Sequence, residues 1–388
     1  MAGPSMLPSE INPMSTEPLY QQVKSLLESR ILDGTLKAGE LIPSERELRE
    51  SLGVSSTTVR RALAEMVRDG LIVRRPGIGS FVSSDSKQLS LLLLIVGFDA
   101  AAWHADIFGN LIGGIAEVTW EERTTFSVVH APQDFHNVTA YLRNVAQEAA
   151  FDGVLLRPAG DLQEEWLAPL LEAGLPYVSI KRYLPHRLVN CVVYDDVRSG
   201  FRATEHLIQL GHARIGLVVC PRTIMGRDRA TGYFRALETH GIEPDSELVY
   251  NTESFMGEAG FVAVRHLLAL PEKPTAIFLA SDRLATGCYR AIEEAGLQIP
   301  DDVSVVGHGD IPTAPMLSPP LTTMRLSYRD LGMQSASLLI DLINRKVRPP
   351  QKTVIEGLLI VRESTGPLSA HAAPEQREIS AVAAPSID

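Results

Sequence analysis

The sequence predicts an α/β protein in two parts: a small helical head closed by a hairpin, then two doubly wound parallel-sheet subdomains. Three observations predict this. The chain has 388 residues, 45% of them apolar, which is too long for one core and enough to fill several. From residue 89 onward, short apolar strand-like runs alternate with amphipathic helices, and the alternation breaks once near the middle. Residues 41–82, LIPSERELRESLGVSSTTVRRALAEMVRDGLIVRRPGIGSFV, follow another rhythm: a short capped helix, a tight turn, a second capped helix, then two short strands around glycines.

The bulk numbers narrow the function classes. A formal net charge of −11 excludes a protein that coats nucleic acid over its whole surface. The charge is uneven, however: residues 1–88 carry 11 Lys+Arg and 11 Asp+Glu, so the rest of the chain carries the entire excess. Arg60, Arg61, Arg68, Arg74 and Arg75 crowd one short segment of an otherwise acidic protein. No run approaches the ~20 apolar residues of a membrane span. The run LSLLLLIV at 89–96 reads as a buried strand. The first residues, MAGPSMLPSEINP, lack the basic start and apolar core of an export signal. Cys191, Cys220 and Cys288 lie far apart among apolar residues, which reads as buried free thiols in a reducing cytoplasm.

Residues 1–17 are expected to be a disordered tail. Residues 18–31 form an amphipathic helix with Tyr20, Val23, Leu27 and Ile31 on one face, and Pro18 suits its first turn. Ser44 and Glu47 make the S-x-x-E box of a second helix that turns Leu48 and Leu52 inward; Gly53 permits the turn. Ser55 or Ser56 caps a third helix with the stripe Val59, Leu63, Met66, Val67. At 100° per residue, Thr57 and Arg61 point away from that stripe, while Thr58 and Arg60 flank it. Hydroxyls followed by arginines at a helix N-terminus suit DNA: hydroxyls and free N–H groups take phosphates, arginines reach guanine edges or the backbone. Gly77 and Gly79 let the hairpin tip approach a phosphate backbone closely. Alone, the arginines are a solvated charge cluster and the glycines an ordinary turn; together with the two helices they read as a winged helix-turn-helix.

Residues 18–82 resemble the winged helix-turn-helix of the GntR family of bacterial transcription regulators. The carriers are PLYQQV, IPSERELRESLGVSSTTVRRAL and DGLIVRRPGIGSFV. The resemblance implies DNA contacts at Arg46, Ser55, Ser56, Thr57, Thr58, Arg60, Gly77 and Gly79. The helical wheel adds Arg61, ranked after Arg60. Ile78 stands where a lysine is common, and Pro76 stiffens the tip.

SSDSKQ (83–88) is a short polar linker. In the large region 89–362, strands are expected at 89–96, 124–130, 152–158, 175–180, 214–220, 248–251, 275–280 and 303–308, with helices between them. Two parallel-sheet subdomains follow, with a cleft at the carboxyl ends of the strands. LTTMRL (321–326), a helix at 328–344 and one last strand at 353–361 are expected to cross between them. The Ala/Pro/Ser-rich residues 363–388 are expected to be a disordered tail.

This region resembles the periplasmic-binding-protein-like effector domain of the LacI family. The carriers are ATEHLIQLGHARIGLV, RDRATGYFRAL, PTAIFLASDRLATGCYRAIEEAGLQIPDDVSVVGHGD and SPPLTTMRLSYRDLGMQSASLLIDLI. A GntR-type head on such a domain is the arrangement of the arabinose-repressor-like branch. The resemblance implies a ligand cleft with Arg229 gripping hydroxyls or a carboxylate and Tyr194, Phe255 and Tyr328 as aromatic walls. Trp103, His104 and Phe108 could close the other side; Arg157, Asp195, Ser281, Asp282 and Asp310 complete the candidate set. Three departures stand out: Lys181 and then Arg182 where an Asp is frequent, Ser281 for an Asn, and Gly309 for the first acid of a pair. Acceptors are lost and cationic donors gained, which suggests an anionic effector such as a sugar acid or sugar phosphate. The plainer reading of Lys181 is a solvent-facing side chain or a partner of Asp195.

No catalytic constellation emerges. GNLIGG (109–114) is not a dinucleotide fingerprint, His206 and His212 have no metal spacing, and neither cofactor nor metal is expected. The sequence therefore reads as a ligand-responsive, DNA-binding repressor of carbohydrate-utilisation genes. It is expected to be a cytoplasmic homodimer on a double-stranded operator, with no membrane partner. The alternatives are a sugar-binding protein without regulatory role, or a ligand-dependent activator or corepressor.

Overall fold

The computed structural model describes residues 11–12, 15, 17–83, 89–97, 105–131 and 137–368. The chain divides into two compact units, Met1–Leu89 and Ser90–Asp388.

The first unit is three helices and a hairpin: α1 (Leu19–Leu32), α2 (Glu45–Leu52), α3 (Ser56–Arg68), β1 (Ile72–Arg75) and β2 (Gly79–Val82). Local chemistry sets the boundaries. The Ser44 hydroxyl accepts from the Glu47 N–H and the Glu47 carboxylate accepts from the Ser44 N–H, so both ends of the expected capping box are made. Gly53, in the left-handed region at φ 65°, ends α2 and starts the turn to α3. Val23, Leu27, Leu48, Leu52, Val59, Leu63, Met66, Ile72 and Val82 fill one small core. The strands pair antiparallel, with Leu41 bridging to Phe81 as a third edge.

The second unit holds two six-stranded sheets. Its elements run β3 (Ser90–Val96), α4 (Ala105–Glu121), β4 (Thr125–Ala131), α5 (Val138–Glu148), β5 (Gly153–Pro158), α6 (Glu164–Glu172), β6 (Tyr177–Ile180), β7 (Cys191–Tyr194), α7 (Asp196–Gln209), β8 (Ile215–Val219), α8 (Ile224–Thr239), β9 (Val249–Asn251), α9 (Gly257–Leu268), β10 (Ala276–Leu279), α10 (Ala285–Glu294), β11 (Ser304–Gly309), β12 (Thr322–Arg325), α11 (Tyr328–Ile343), β13 (Lys352–Ile355) and β14 (Leu358–Ile360). The first sheet, ordered β13-β7-β6-β5-β3-β4, is wholly parallel. The second, ordered β14-β12-β11-β10-β8-β9, is parallel except for the β12–β14 pair. Central strands such as β3 and β5 are buried on both faces, which is why they read as unbroken apolar runs and not as alternation.

The chain passes between the lobes three times: from β7 to α7, from β12 to α11, and from β13 to β14. The last crossing corrects one expectation. Residues 353–361 are not one strand but two, split at Glu356 and Gly357 and belonging to different sheets. The strand β7 was not foreseen; four buried residues give too short a pattern. Residues 363–368, expected to belong to a disordered tail, are packed instead: Ser364 is fully buried and is hydrogen-bonded to Val305 and Thr322. Leu368 N–H still donates to the Leu210 carbonyl; the rest of that tail, most of residues 1–17 and the linker from 84 lie outside the described residues. Among the described residues, no helix is long and apolar enough to cross a membrane.

Candidate functional site

The head presents one polar face, along α2, the start of α3 and the hairpin. Ser55 is the α3 cap: its hydroxyl accepts from the Thr58 N–H at 3.1 Å and lies 2.8 Å from the Thr58 hydroxyl. Both hydroxyls are thus committed to the helix start. Thr57 is exposed and Ser56 half-buried. Arg46 is 78% exposed. Arg60 donates to Glu45 at 3.0 Å, and Arg74 of the hairpin donates to the same carboxylate. One acid at the start of α2 therefore gathers arginines from the helix and the wing. Arg61 goes elsewhere: its guanidinium lies over the Tyr20 ring, 3.8 Å from the centroid, and ties α3 to α1. Gly77 and Gly79 have φ of 73° and 146°. Gly77 faces open space, whereas a Cβ on Gly79 would meet the Leu41 side chain at 2.6 Å. The Leu41 tip could give way, so Gly79 is fixed by its backbone conformation.

The larger unit holds a cleft between its lobes, with a cavity volume of about 120 Å³. Its wall comes from strand ends and helix starts of both lobes, as the doubly wound topology requires. Of the expected ligand residues, Phe108, Arg157, Lys181, Arg229, Phe255, Ser281 and Tyr328 line it. Trp103 and His104 lie outside the described residues. Four candidates have other work. Tyr194 stands behind Tyr328, ring centroids 6.1 Å apart, and donates to the Ser327 carbonyl. Asp195 caps α7, accepting from the Arg198 N–H at 2.8 Å. Asp282 is buried, accepts from the Thr323 hydroxyl at 2.7 Å and the Ile311 N–H at 3.1 Å, and burial pushes its carboxyl up to about 6. Asp310 is held by Arg325 at 2.6 Å and Arg362 at 2.7 Å, beside an adjoining hollow.

The centre of the cleft is a phenol among cations. Lys181, buried and at φ 65°, donates to the Tyr328 hydroxyl at 2.6 Å. Neither plainer reading of Lys181 holds: it does not face solvent and does not pair with Asp195. Burial pushes its ammonium down to about 8, and Arg229 and Arg157 add to the fall. Burial alone would raise the Tyr328 phenol, but Lys181, Arg157 and Arg229 outweigh it and bring it down to about 8. Arg229 donates to Asp196 at 2.7 Å and to the Ala280 carbonyl at 2.6 Å, a buried ion pair that joins α8, α7 and the end of β10. Arg182 donates to the carbonyls of Gly160, Ala159 and Lys181, and burial lowers it to about 9.

Several lining groups escaped the sequence reading, and three of them bear on the site's chemistry. His308 is buried with both ring nitrogens lacking a hydrogen-bond partner among the described residues, and burial holds it neutral. Arg283 lines the cavity one position beyond Asp282, and Met225 lines it from α8. Asp196, adjacent to the expected Asp195, is the acid that matters to Arg229. The usable signal was position: each sits within a few residues of a strand's carboxyl end. Gly309 has a backbone reason, φ 137°, so the residue type there follows from chain conformation as well as from ligand.

A small winged head and a two-lobed cleft domain define a transcriptional regulator with a built-in sensor, not an enzyme. Residues 19–82 match the bacterial regulatory proteins of the gntR family, and residues 204–365 match the periplasmic binding protein-like domain. The chain is 31% identical to the arabinose metabolism transcriptional repressor of Geobacillus stearothermophilus over 359 residues, covering 90% of this chain and 98% of that one. It is 30% identical to the probable HTH-type transcriptional repressor ExuR of Bacillus subtilis (strain 168), over 82% of this chain and 97% of that one. A solved transcriptional regulator CelR–cellobiose complex aligns with a TM-score of 0.65 at 27% identity, over 90% of this chain and all of that chain. The chain belongs to the family of transcriptional regulators that join a GntR-type DNA-binding head to a LacI-type effector domain.

Proposed function

We propose that the protein is a cytoplasmic repressor of carbohydrate-utilisation genes, acting as a homodimer whose cleft takes a sugar or sugar-derived effector. Helix α3 lies in the major groove of each half-site, and the hairpin rests on the adjacent backbone or minor groove. Arg46, Ser56, Thr57 and Arg60 are the contacts proposed to read and grip the operator, with Gly77 at the approach of the wing. In the cleft, Arg229, Lys181, Ser281 and His308 meet the effector's polar groups, and Phe108, Phe255 and Tyr328 its apolar faces.

The observation that carries the reading is that the two lobes are latched across the cleft they share. Asp161, after β5, accepts from the Ile224 N–H at 2.7 Å and from Arg227 at 2.8 Å, both in the other lobe. Tyr183 donates to Asp228 at 2.8 Å. A ligand touching both lobes has different affinity for open and closed arrangements, and only such a difference can shift the equilibrium. Two of the named relatives are repressors, one of them of arabinose metabolism, which supports the carbohydrate assignment.

The test is fluorescence anisotropy with DNA from upstream of the protein's own gene, at about 0.15 M salt, where non-specific binding is weak. Specific binding that a sugar or sugar derivative weakens supports induction. A rise in affinity with ligand would instead mean corepression, and no specific binding at that salt would sink the regulator reading.

A further inference from the structure

We infer that the effector is an organic anion, no larger than a monosaccharide, whose negative group seats against Lys181 and Arg283 beside the Tyr328 hydroxyl. The inference rests on the cleft being the effector site.

The argument begins with charge balance. Among the described residues, Lys181, Arg182 and Arg283 have no carboxylate within ion-pair distance, and all three line the cavity. Asp196, the buried acid beside these cations, is spent on Arg229 at 2.7 Å. The other nearby acids are engaged too: Asp282 by Thr323 and Ile311, Asp310 by Arg325 and Arg362, Asp161 by Arg227. Cations taken out of water without a counter-charge are costly, and proteins keep them where a partner arrives. The depressed ammonium of Lys181 and guanidinium of Arg182 are the signature of that cost.

Donor geometry points the same way. Arg182 spends its nitrogens on three backbone carbonyls and the Met225 sulfur, so it supplies field and not contact. Among the described residues, the Lys181 ammonium has one hydrogen-bond partner, the Tyr328 hydroxyl, which leaves its other protons for a ligand. Arg283 makes no hydrogen bond or ion pair among the described residues, and its charge is felt at Tyr328. Lys181 and Arg283 therefore frame one phenol with unspent donors of one sign. A neutral sugar, whose hydroxyls need acceptors as well as donors, finds few acceptors here: the cleft acids are already engaged, and His308 offers a single ring nitrogen.

Size completes the class. At about 30 Å³ for each liquid water, about 120 Å³ is the room of on the order of four waters. That is too small for two sugar rings, so the ligand is no larger than one monosaccharide. Carboxylate and phosphate share the chemistry required, so both belong in the test.

The test is thermal unfolding of the full chain at matched ionic strength with galactose, galacturonate, galactose 6-phosphate and inorganic phosphate, followed by titration calorimetry. An anion is expected to raise Tm where galactose does not. Lys181→Met should weaken that anion at least about tenfold, while Lys181→Arg keeps the charge and most of the affinity. Lys181→Met should also raise the ligand-free Tm, because an uncompensated buried charge is gone; this arm needs no effector. Galactose raising Tm while the anions do not, an anion response that persists in Lys181→Met, or a ligand-free Lys181→Met that unfolds earlier together with no anion response in the unsubstituted protein would each overturn the inference. Carboxylate and phosphate are told apart by which ester or acid responds. The operator assay separates the two readings: anion binding without any effect on DNA leaves the site standing and removes its regulatory role, whereas a neutral sugar that releases DNA does the reverse.

Discussion

The head and the cleft both depend on basic side chains and use them in opposite ways. In the head, Arg60 and Arg74 are exposed and share Glu45, so their charge is partly satisfied before any partner arrives. In the cleft, Lys181 and Arg182 are buried with no carboxylate partner among the described residues. An exposed pair contributes little to folding and can be exchanged for a phosphate at small cost. A buried cation is a large local penalty that a ligand relieves. The first arrangement gives binding graded by salt; the second gives a site that discriminates by charge.

The largest expected effect breaks the cleft's buried Arg229–Asp196 pair. Arg229→Met leaves Asp196 buried beside His308, 3.7 Å away, without its guanidinium. Removing one member of a buried pair costs about 3–5 kcal/mol, so urea unfolding of the larger unit should shift by that order, and effector binding should fail with it. Sequence alone assigns Arg229 to the ligand and predicts a purely functional variant; the Asp196 contact makes it a framework residue as well. The double variant Arg229→Met with Asp196→Leu should recover part of the stability and none of the binding. Undiminished stability in the single variant would show that the pair is solvated and the cleft open.

The next effect concerns the head. Arg60→Ala should cost about 1–3 kcal/mol of specific operator affinity, read by anisotropy as about five-fold to a hundred-fold, with the effector isotherm unchanged. Loss of effector binding in this variant would dissolve the contrast between the two regions.

Third comes pH. Lys181 must be protonated to hold an anion. Burial depresses its ammonium to about 8, and a bound anion raises it again. Binding therefore takes up a proton above pH 8. Anion affinity is flat below about 8 and falls as pH rises beyond it, by at most about tenfold per unit for one proton. The Tyr328 phenol, brought to about 8 by the same cations, acts with the same sign, since a phenolate repels the ligand. The other charged groups facing Lys181 are Arg157, Arg229, Asp196 and His308, with Tyr194 behind. Of these, the His308 imidazole is already neutral well below this range, so it does not blur the profile. Calorimetry at pH 7 and 9 should give a clear drop for galacturonate or galactose 6-phosphate, whichever binds; equal affinities would remove Lys181 from the contact.

How legible the two regions were differs for a physical reason. The head is local: a capping box, a left-handed glycine and a hairpin are spelled by neighbours in sequence, so Ser44, Glu47, Gly53 and Ser55 could be read directly. The strands and helices of the lobes were legible from apolar periodicity. The cleft was legible only in outline, because its contacts join residues far apart, such as Lys181 and Tyr328 at a separation of 147. Periodicity fixes which strand end a residue occupies, not which of two adjacent acids turns inward. Asp195 against Asp196 is that case, decided by the cap geometry of α7. Tyr194 failed similarly: it is aromatic and near the cleft, yet one layer behind it.

The smallest effect tests whether two neighbouring arginines in the head divide their labour. By helical wheel Arg61 faces away from the core and looks as available to DNA as Arg60. Its guanidinium lies instead over Tyr20, 3.8 Å from the ring centre, with Glu65 at 3.8 Å. An exposed cation–π contact is worth about 0.5–1 kcal/mol, and the side chain is still 63% exposed. Arg61→Ala should therefore shift the unfolding of the head slightly and lower DNA affinity uniformly, through lost charge, without changing preference between operator and random DNA. Tyr20→Leu should produce the same small stability change while freeing Arg61, so that its affinity for random DNA rises. If Arg61→Ala instead erases the operator preference as Arg60→Ala does, the stacked position is abandoned on DNA, and Arg61 joins Arg60 as a reader of the sequence.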